Sequence, residues 1–204
     1  MNRVFILSPA SCRGRRAAQL LSPRSATPLA SQLRSAEGAP LGEVFTFFSS
    51  LYFRGKLTYA RRFALPHDIH VITPTSGLQS PDIRVTHNAI LEFAGGDIDV
   101  ANARYRTALE RSATALLQMI GAARDVVLLG SIASPKYVGV LGEIFGERLR
   151  FPVDFVGRGD MSRGGLLLRK ASEGVELDYV PVAGAVRHGP RPPRLPRKPR
   201  TAWP

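Results

Sequence analysis

Four short apolar runs are the feature that most constrains the fold of this 204-residue chain. They cover residues 4–7, 69–72, 126–129 and 153–156, and each is followed by a loop rich in Gly, Ser, Pro or Thr. Continuous apolar runs of this length are typical of strands buried on both faces, as in a parallel sheet covered by helices. The sequence therefore predicts an α/β fold.

Stretches with helical spacing lie between the runs, over residues 15–21, 41–63, 104–120 and 137–145. Ser134 and Pro135 supply an N-cap and a first-turn proline for the last of them. Residues 166–171 and 175–182, joined by a turn containing glycine, predict an antiparallel hairpin at the sheet edge. We expect a three-layer sandwich with a mixed, mostly parallel sheet and this C-terminal hairpin, in one domain over residues 1–186.

The net charge of +12 is concentrated at the two ends of the chain. Residues 1–36 hold six arginines and no acid, and residues 187–204 hold five arginines, one lysine and no acid, so the remaining 16 basic residues balance the 16 acids. This layout favours binding to a polyanion, and nucleic acid is the predicted partner. The residues expected to contact it are Arg15, Arg16, Arg191, Arg194, Arg197, Lys198 and Arg200.

The tail over residues 187–204 is too rich in proline for a helix or a central strand, and we expect it to be disordered when free. Its arginines are spaced to follow phosphates. Its prolines could equally form the extended helix that a proline-binding domain reads, or the whole composition could serve only solubility.

The single cysteine, Cys12, excludes an internal disulfide framework and is typical of a reducing compartment. No run is long enough for a secretory signal core or a membrane span, so we predict a cytoplasmic protein without a membrane partner. The sequence lacks H-E-x-x-H, C-x-x-C, P-loop and G-x-G-x-x-G patterns. We therefore expect no metal and no cofactor.

Ligands of open α/β sheets bind at the carboxyl ends of the strands, where the four loops should form one crevice. The most unusual loop, residues 157–165, combines four glycines with Arg158, Asp160 and Arg163. Here the arginines would hold phosphate or carboxylate oxygens, and Asp160 would be an ionised catalytic carboxylate. The alternative is a glycine-rich turn in which Asp160 only pairs with a neighbouring arginine.

The loop after the first run places Ser11, Arg13, Arg15 and Arg16 near the start of a helix, where a phosphate would bind. Cys12 lies beside these arginines, which would lower its thiol pKa, but no histidine partner is placed by the sequence and we interpret it as a bystander. The loop after the third run offers Ser131 and Lys136 as ligand-binding residues, or equally a helix cap and a surface lysine.

The predicted helix over residues 41–63 carries seven of the sixteen aromatic residues, interleaved with basic ones. Such a pattern can stack nucleic-acid bases. The helical spacing more often marks core, or an interface between two copies of the chain, so a homodimer through this helix is a second interpretation.

Residues 73–82, T-P-T-S-G-L-Q-S-P-D, resemble the segment S-A-K-Y-G-L-x-x-P-D of a poorly characterised group of bacterial α/β proteins. A similar segment accompanies the catalytic core of archaeosine synthase, a tRNA-modifying enzyme, and the sheet looks like that of the uracil-DNA glycosylase superfamily. Gly77, Leu78, Pro81 and Asp82 match, whereas Ser76 replaces the usual tyrosine. The resemblance implies a nucleotide context with Ser76 and Asp82 as ligand-binding residues, but the glycosylase active-site motifs are absent.

Together these features favour a nucleic-acid-associated α/β protein, and processing of a base or nucleoside at the strand ends is the chemistry we expect of it. The alternative hypothesis is a non-catalytic adaptor or structural protein that docks a partner through the basic, proline-rich tail.

Overall fold

A six-stranded sheet lies at the centre of the computed structural model, which describes residues 3–121, 123–193 and 195. The strand order is β4-β3-β1-β6-β7-β8. Strands β3, β1, β6 and β7 run parallel, and antiparallel strands flank them on both sides. The strands are β1 Arg3–Leu7, β3 Ile69–Thr73, β4 Gly77–Gln79, β6 Asp125–Leu129, β7 Leu149–Pro152 and β8 Tyr179–Pro181; β2 Ala39–Pro40 and β5 Arg84–Val85 form a separate small pair.

Helices cover both faces of the sheet. The helices are α1 Arg15–Leu21, α2 Pro28–Arg34, α3 Leu41–Ser49, α4 Leu51–Phe63, α5 His87–Gly95, α6 Ala103–Ile120, α7 Pro135–Phe145 and α8 Asp160–Glu173. Phe5 and Leu7 of β1 face the core built with α1 to α5 and α8, whereas Val4 and Ile6 face the core built with α6 and α7. Both sides of β1 are therefore buried, which explains its unbroken apolar run and confirms the predicted α/β layers.

The fourth predicted strand, over residues 153–156, is wrong in position. The strand in this part of the chain is β7, Leu149–Pro152, and Val153–Phe155 form a 3-10 turn directly after it. Leu149 and Phe151 are the buried residues of β7, while Val153 is 43% exposed. The apolar run over residues 153–156, from which the strand was predicted, begins directly after the end of β7.

The predicted antiparallel pair at the C-terminal edge of the sheet is confirmed, and its second strand, predicted over residues 175–182, contains β8. The first strand, predicted over residues 166–171, is wrong, because the partner of β8 is β7. Residues 166–171 belong to helix α8, because Leu167 and Ala171 are buried at helical spacing. Gly174, at φ +68°, ends this helix in the left-handed conformation and does not form a hairpin turn.

The aromatic stretch over residues 41–63 forms two helices and not the single one predicted. Ser50 separates α3 from α4 with φ 51° and ψ −113°, a conformation that no helix contains. Phe45, Phe53 and Tyr59 of these helices are fully buried in the core. This burial accounts for the aromatic spacing without a second copy of the chain, and a homodimer stays a prediction.

Helices α4 and α8 approach each other closely because a glycine of each lies at their crossing. A Cβ on Gly55 would lie 2.7 Å from the carbonyl oxygen of Gly164, and one on Gly164 would lie 2.7 Å from that of Leu51. This contact presses the start of α8 against α4. Within the described residues, no helix has both the length and the apolar character needed to cross a membrane.

Candidate functional site

A cavity of about 730 Å³ lies at the carboxyl edge of the parallel strands. Its wall is built from the loop and helix start after β1, the segment after β6 and residues 96–98 after α5. Pro74 after β3, the first residue of α8, and side chains of α3, α4 and α5 complete it. Strand β1 is the point at which the crossover connections change from one face of the sheet to the other, since β3 and β6 lie on its two sides. Open α/β sheets form their ligand crevices at such a position.

The structure brings seven of the predicted site residues to this cavity. They are Ser11, Arg13, Arg15, Arg16, Ser131, Lys136 and Asp160. The loop after β3 contributes only Pro74. The crevice predicted from four loops is therefore formed mainly by the chain segments after β1 and β6, with one residue from each of the other two, and residues 96–98 after α5 add a segment that was not predicted.

Other predicted residues lie outside the cavity wall. The amide of Ser76 donates to Thr73 Oγ1, and Asp82 forms an exposed ion pair with Arg61. Arg158 donates to the carbonyl oxygen of Asp154 at 2.9 Å, which holds it away from the cavity. Arg191 is exposed, and Arg194, Arg197, Lys198 and Arg200 lie outside the described residues.

Gly77, the glycine of the segment that carries the family resemblance, has a structural explanation. Its φ is +67°, and a Cβ there would lie 2.2 Å from the carbonyl oxygen of Ala108 in α6. Only glycine allows β4 to pack this closely on α6. The match at this position therefore reflects packing as well as any shared function.

The predicted unit of Arg158, Asp160 and Arg163 is only partly formed. Asp160 is the first residue of α8, its side chain is 70% exposed, and Arg163 Nη1 lies 3.6 Å from its carboxylate. The guanidinium of Arg163 donates through Nε and Nη2 to the carbonyl oxygen of Phe155, at 3.2 and 3.0 Å. Arg163 thus holds the chain before α8 in place, and Asp160 is the member of the unit that faces the cavity.

Two arginines of the loop after β1 are held by neighbouring segments. Arg13 donates to the carbonyl oxygens of Ala94 and Gly96, at 2.7 and 3.0 Å, and lies 3.5 Å from a carboxylate oxygen of Asp97. Arg16 donates to the carbonyl oxygen of Phe47 at 3.1 Å. Their side chains are therefore oriented before any ligand arrives.

Cys12 is buried, and burial raises its pKa to about 12 although the neighbouring Arg13 acts in the opposite direction. The expectation that the arginines would lower this pKa is wrong, because the cost of burying a thiolate outweighs the charge of the exposed guanidinium. At neutral pH the thiol is protonated and unreactive.

A buried lysine that was not predicted from the sequence lies behind the cavity. Lys56 of α4 is 1% exposed, and its ammonium donates to both the carbonyl oxygen and the side-chain oxygen of Ser8, the latter at 2.9 Å. Its Nζ also lies 4.4 Å from the ring centroid of Tyr52 and 5.0 Å from that of Phe53. Ser8, directly after β1, lines the cavity.

Burial lowers the pKa of Lys56 to about 7. The carboxylate of Asp160 acts in the opposite direction and raises this pKa, whereas the guanidinium of Arg163 lowers it further. Both protonation states are therefore populated near neutral pH. One signal for this was present in the sequence: Lys56 stands on the apolar stripe of its helix, one turn after Tyr52 and directly before Leu57.

Tyr52 is a second missed residue. It lines the cavity and is 6% exposed, and its hydroxyl has no hydrogen-bond partner by distance and angle among the described residues. Burial raises its pKa, although Arg163 lies near enough to act in the opposite direction. A buried hydroxyl without a partner is costly, so a ligand or water that bonds to it would recover that cost.

Among the described residues, no group of three or more His, Cys, Asp or Glu side chains could hold a metal ion. No protein-family model matches the chain, and comparisons with curated proteins and with solved structures give no match either. The resemblance to the group related to archaeosine synthase therefore stays a prediction, and what the protein binds is inferred from the side chains of the cavity.

Proposed function

We propose that the cavity binds a nucleotide, either free or exposed within a nucleic-acid strand. The observation that carries this proposal is the composition of the wall. Four basic side chains, Arg13, Arg15, Arg16 and Lys136, lie there with two acids, Asp97 and Asp160. The formal excess of two positive charges suits a phosphorylated ligand.

The remaining wall suits the other parts of such a ligand. Phe48, Tyr52 and Phe93 supply aromatic surface against which a base can stack. Ser11 and Ser131 supply hydroxyls that can bond to a sugar or phosphate. A cavity volume of about 730 Å³ is in the range of small-molecule sites.

Chemistry on the base or nucleoside is the finer part of this proposal. Asp160 lies at the cavity with its side chain 70% exposed, so it can reach a bound ligand. Incubation of the protein with nucleosides, nucleotides and short oligonucleotides, followed by chromatography, tests for release or alteration of the base. Any such activity should be lost in Asp160→Asn, which keeps the shape of the side chain but removes the charge.

Binding is tested by fluorescence anisotropy with labelled single-stranded DNA and RNA at several salt concentrations, and by calorimetry with mononucleotides. Lys136→Ala and Arg15→Ala should each weaken nucleotide binding about tenfold or more, because a hydrogen bond to a charged group contributes about 1.5 to 3 kcal/mol. Arg24→Ala is the matched control, since Arg24 is exposed and does not line the cavity. Equal affinities in all three variants would reject the cavity as the binding site.

A shortened chain separates the cavity from the tail. Leu195 packs against the core and Pro193 accepts a hydrogen bond from Arg158, so truncation after residue 195 keeps these contacts and removes Arg197, Lys198 and Arg200. If truncation lowers the affinity for nucleic acid and the cavity variants do not, the tail and not the cavity makes the contact. Binding of a proline-recognising partner that persists at high salt would instead support the adaptor hypothesis.

A further inference from the structure

Ser8 stands between the cavity and a buried amine. Its Oγ is 2.9 Å from Lys56 Nζ, and the residue is 5% exposed and lines the cavity, whereas Lys56 is 1% exposed. The order is therefore cavity, hydroxyl, amine. Gly130 allows this packing, since a Cβ there would lie 2.9 Å from Ser8 Cβ.

We propose that Ser8 is a nucleophile and Lys56 its general base, in a site that hydrolyses a carboxylic ester of an anionic molecule. A serine hydroxyl is a weak nucleophile unless an adjacent base accepts its proton, and Ser-Lys pairs are a recurring solution to this requirement. The proposal does not depend on nucleotide binding, because the chemistry resides in Ser8 and Lys56 and is tested below with probes that contain no nucleotide.

The surroundings of Lys56 keep a neutral amine available. Within the described residues, the charged groups that act on it are Asp160 and Arg163, both of α8, and the rings of Tyr52 and Phe53 lie against its Nζ. The two charges act in opposite directions, so burial decides the protonation state. A base that titrates near neutral pH is suited to accept and return a proton during turnover.

The reaction begins when the ester carbonyl carbon lies against Ser8 Oγ. The Oγ–C bond forms while the hydroxyl proton moves to the neutral Lys56 amine, and the resulting ammonium gives this proton to the departing alcohol oxygen as the ester C–O bond breaks. Water then attacks the acyl-serine, Lys56 accepts its proton, the Oγ–C bond breaks, and the proton returns to Ser8. The net change is ester plus water to acid plus alcohol.

The basic wall selects the charge of the substrate. Arg15 and Lys136 face the same cavity, and they would attract an anionic ester and stabilise the negative charge that develops on its carbonyl oxygen. An anionic ester should therefore react faster than a neutral one of the same shape.

The first experiment treats the full chain with a fluorophosphonate and locates the adduct by peptide mass spectrometry. We expect one phosphonyl group on Ser8 and none in Ser8→Ala. The labelling rate of Lys56→Met should be lower than that of the wild type by a factor of at least about 100, because the general base has been removed. Lys170→Met, a substitution of a lysine outside the cavity wall, is the control and should label like the wild type. Labelling of other serines with Ser8 unmodified would overturn the proposal.

The wild-type pH profile tests the base without any substitution, in case Lys56→Met does not fold. The labelling rate should rise about tenfold per pH unit below pH 7 and become constant above it, as the neutral fraction of Lys56 does. A rate that continues to rise to pH 9 would show hydroxide-driven reaction and would overturn the role of Lys56.

The second experiment compares 4-acetoxybenzoate with its methyl ester by release of the phenol. The anionic ester should show a kcat/KM about tenfold higher, although the methyl ester is intrinsically at least as reactive, and Lys136→Ala should reduce this preference. If neither ester is hydrolysed and Ser8 stays unlabelled, the proposed catalytic pair is wrong and Lys56 only stabilises the end of β1 through its hydrogen bonds to Ser8. The proposal of nucleotide binding would not be affected by this result.

Discussion

Replacement of Lys56 by methionine should change how the stability of the protein depends on pH. Methionine has a similar length and no charge, so it removes the titrating group while it fills most of the space among Tyr52, Phe53 and Ser8. In the unfolded chain Lys56 titrates near its ordinary pKa of 10.5, whereas in the native protein burial lowers the pKa to about 7.

The direction of the effect follows from proton counting. Between pH 7 and pH 10.5 the unfolded chain binds a proton at Lys56 that the native protein does not, so the wild type gains stability as the pH rises through this interval. Below pH 7 both states are protonated and this contribution is constant. From pH 7 to pH 9.5 the gain is about 3 kcal/mol, at a slope approaching about 1.4 kcal/mol per pH unit. Lys56 is 1% exposed, so solvent screening does not reduce this value appreciably.

The measurement is the free energy of unfolding from urea titrations of the wild type and Lys56→Met at half-unit steps from pH 6 to pH 9.5. The quantity of interest is the difference between the two proteins, because changes in packing shift that difference equally at every pH. The series ends at pH 9.5, since burial raises the pKa of Tyr59 and Tyr137 to about 12 and their titration destabilises the native state above pH 10. Parallel curves would show that Lys56 keeps its ordinary pKa, and the reasoning from its burial would be refuted.

Three further outcomes follow from the packing. Gly164→Ala should lower the free energy of unfolding by about 1 to 2 kcal/mol in urea titrations because its Cβ meets the backbone of α4, whereas Gly165→Ala, with ordinary contacts only, should be neutral or raise it by up to about 1 kcal/mol. Cys12 should not react with Ellman's reagent at pH 8 until denaturant unfolds the chain, since burial raises its pKa to about 12; prompt reaction in buffer would contradict this. Asp68→Asn should cost about 2 to 3 kcal/mol in the same titrations, because it removes the buried carboxylate 2.6 Å from Arg124; an unchanged midpoint would show that the pair is not stabilising.

Local sequence patterns were enough to place three of the four parallel strands and the helices α1, α6 and α7. Each of these strands is buried on both faces, so its apolar run is continuous and directly visible. The C-terminal part could not be read in this way. The run from Leu166 to Leu168 is compatible with either element, and it is helical because Gly164 lets α8 pack on the backbone of α4. The contact between Gly55 and Gly164 joins residues 109 positions apart, and such a contact has no local signature.

The absence of a local sequence pattern for long-range contacts also explains which residues of the candidate site could be predicted. Ser11, Ser131 and Lys136 follow strands in the sequence, so the rule that ligands bind at strand ends placed them at the cavity. Asp160 was predicted as a carboxylate held between Arg158 and Arg163 in a loop, and this reason is only partly correct, since Asp160 begins helix α8 and only Arg163 lies near it. Tyr52 could not be distinguished in the sequence from the other aromatic residues of its helix, because only the tertiary structure places it at the cavity.

Lys56 shows why a basic residue on an apolar stripe needs the tertiary structure for its interpretation. In the sequence it is one of several basic residues among aromatics, and a long lysine side chain at such a position ordinarily extends its charge to solvent. Here the close approach of α8 and the end of β1 leave it 1% exposed, so the amine bonds to Ser8 and cannot reach water. Lys56 follows Gly55 of the helix crossing and bonds to Ser8 at the end of β1, and Ser8 also lines the cavity. Packing therefore joins a lysine whose pKa is lowered by burial to the hydroxyl of a residue that lines the cavity, which is the combination that the proposed nucleophilic catalysis requires.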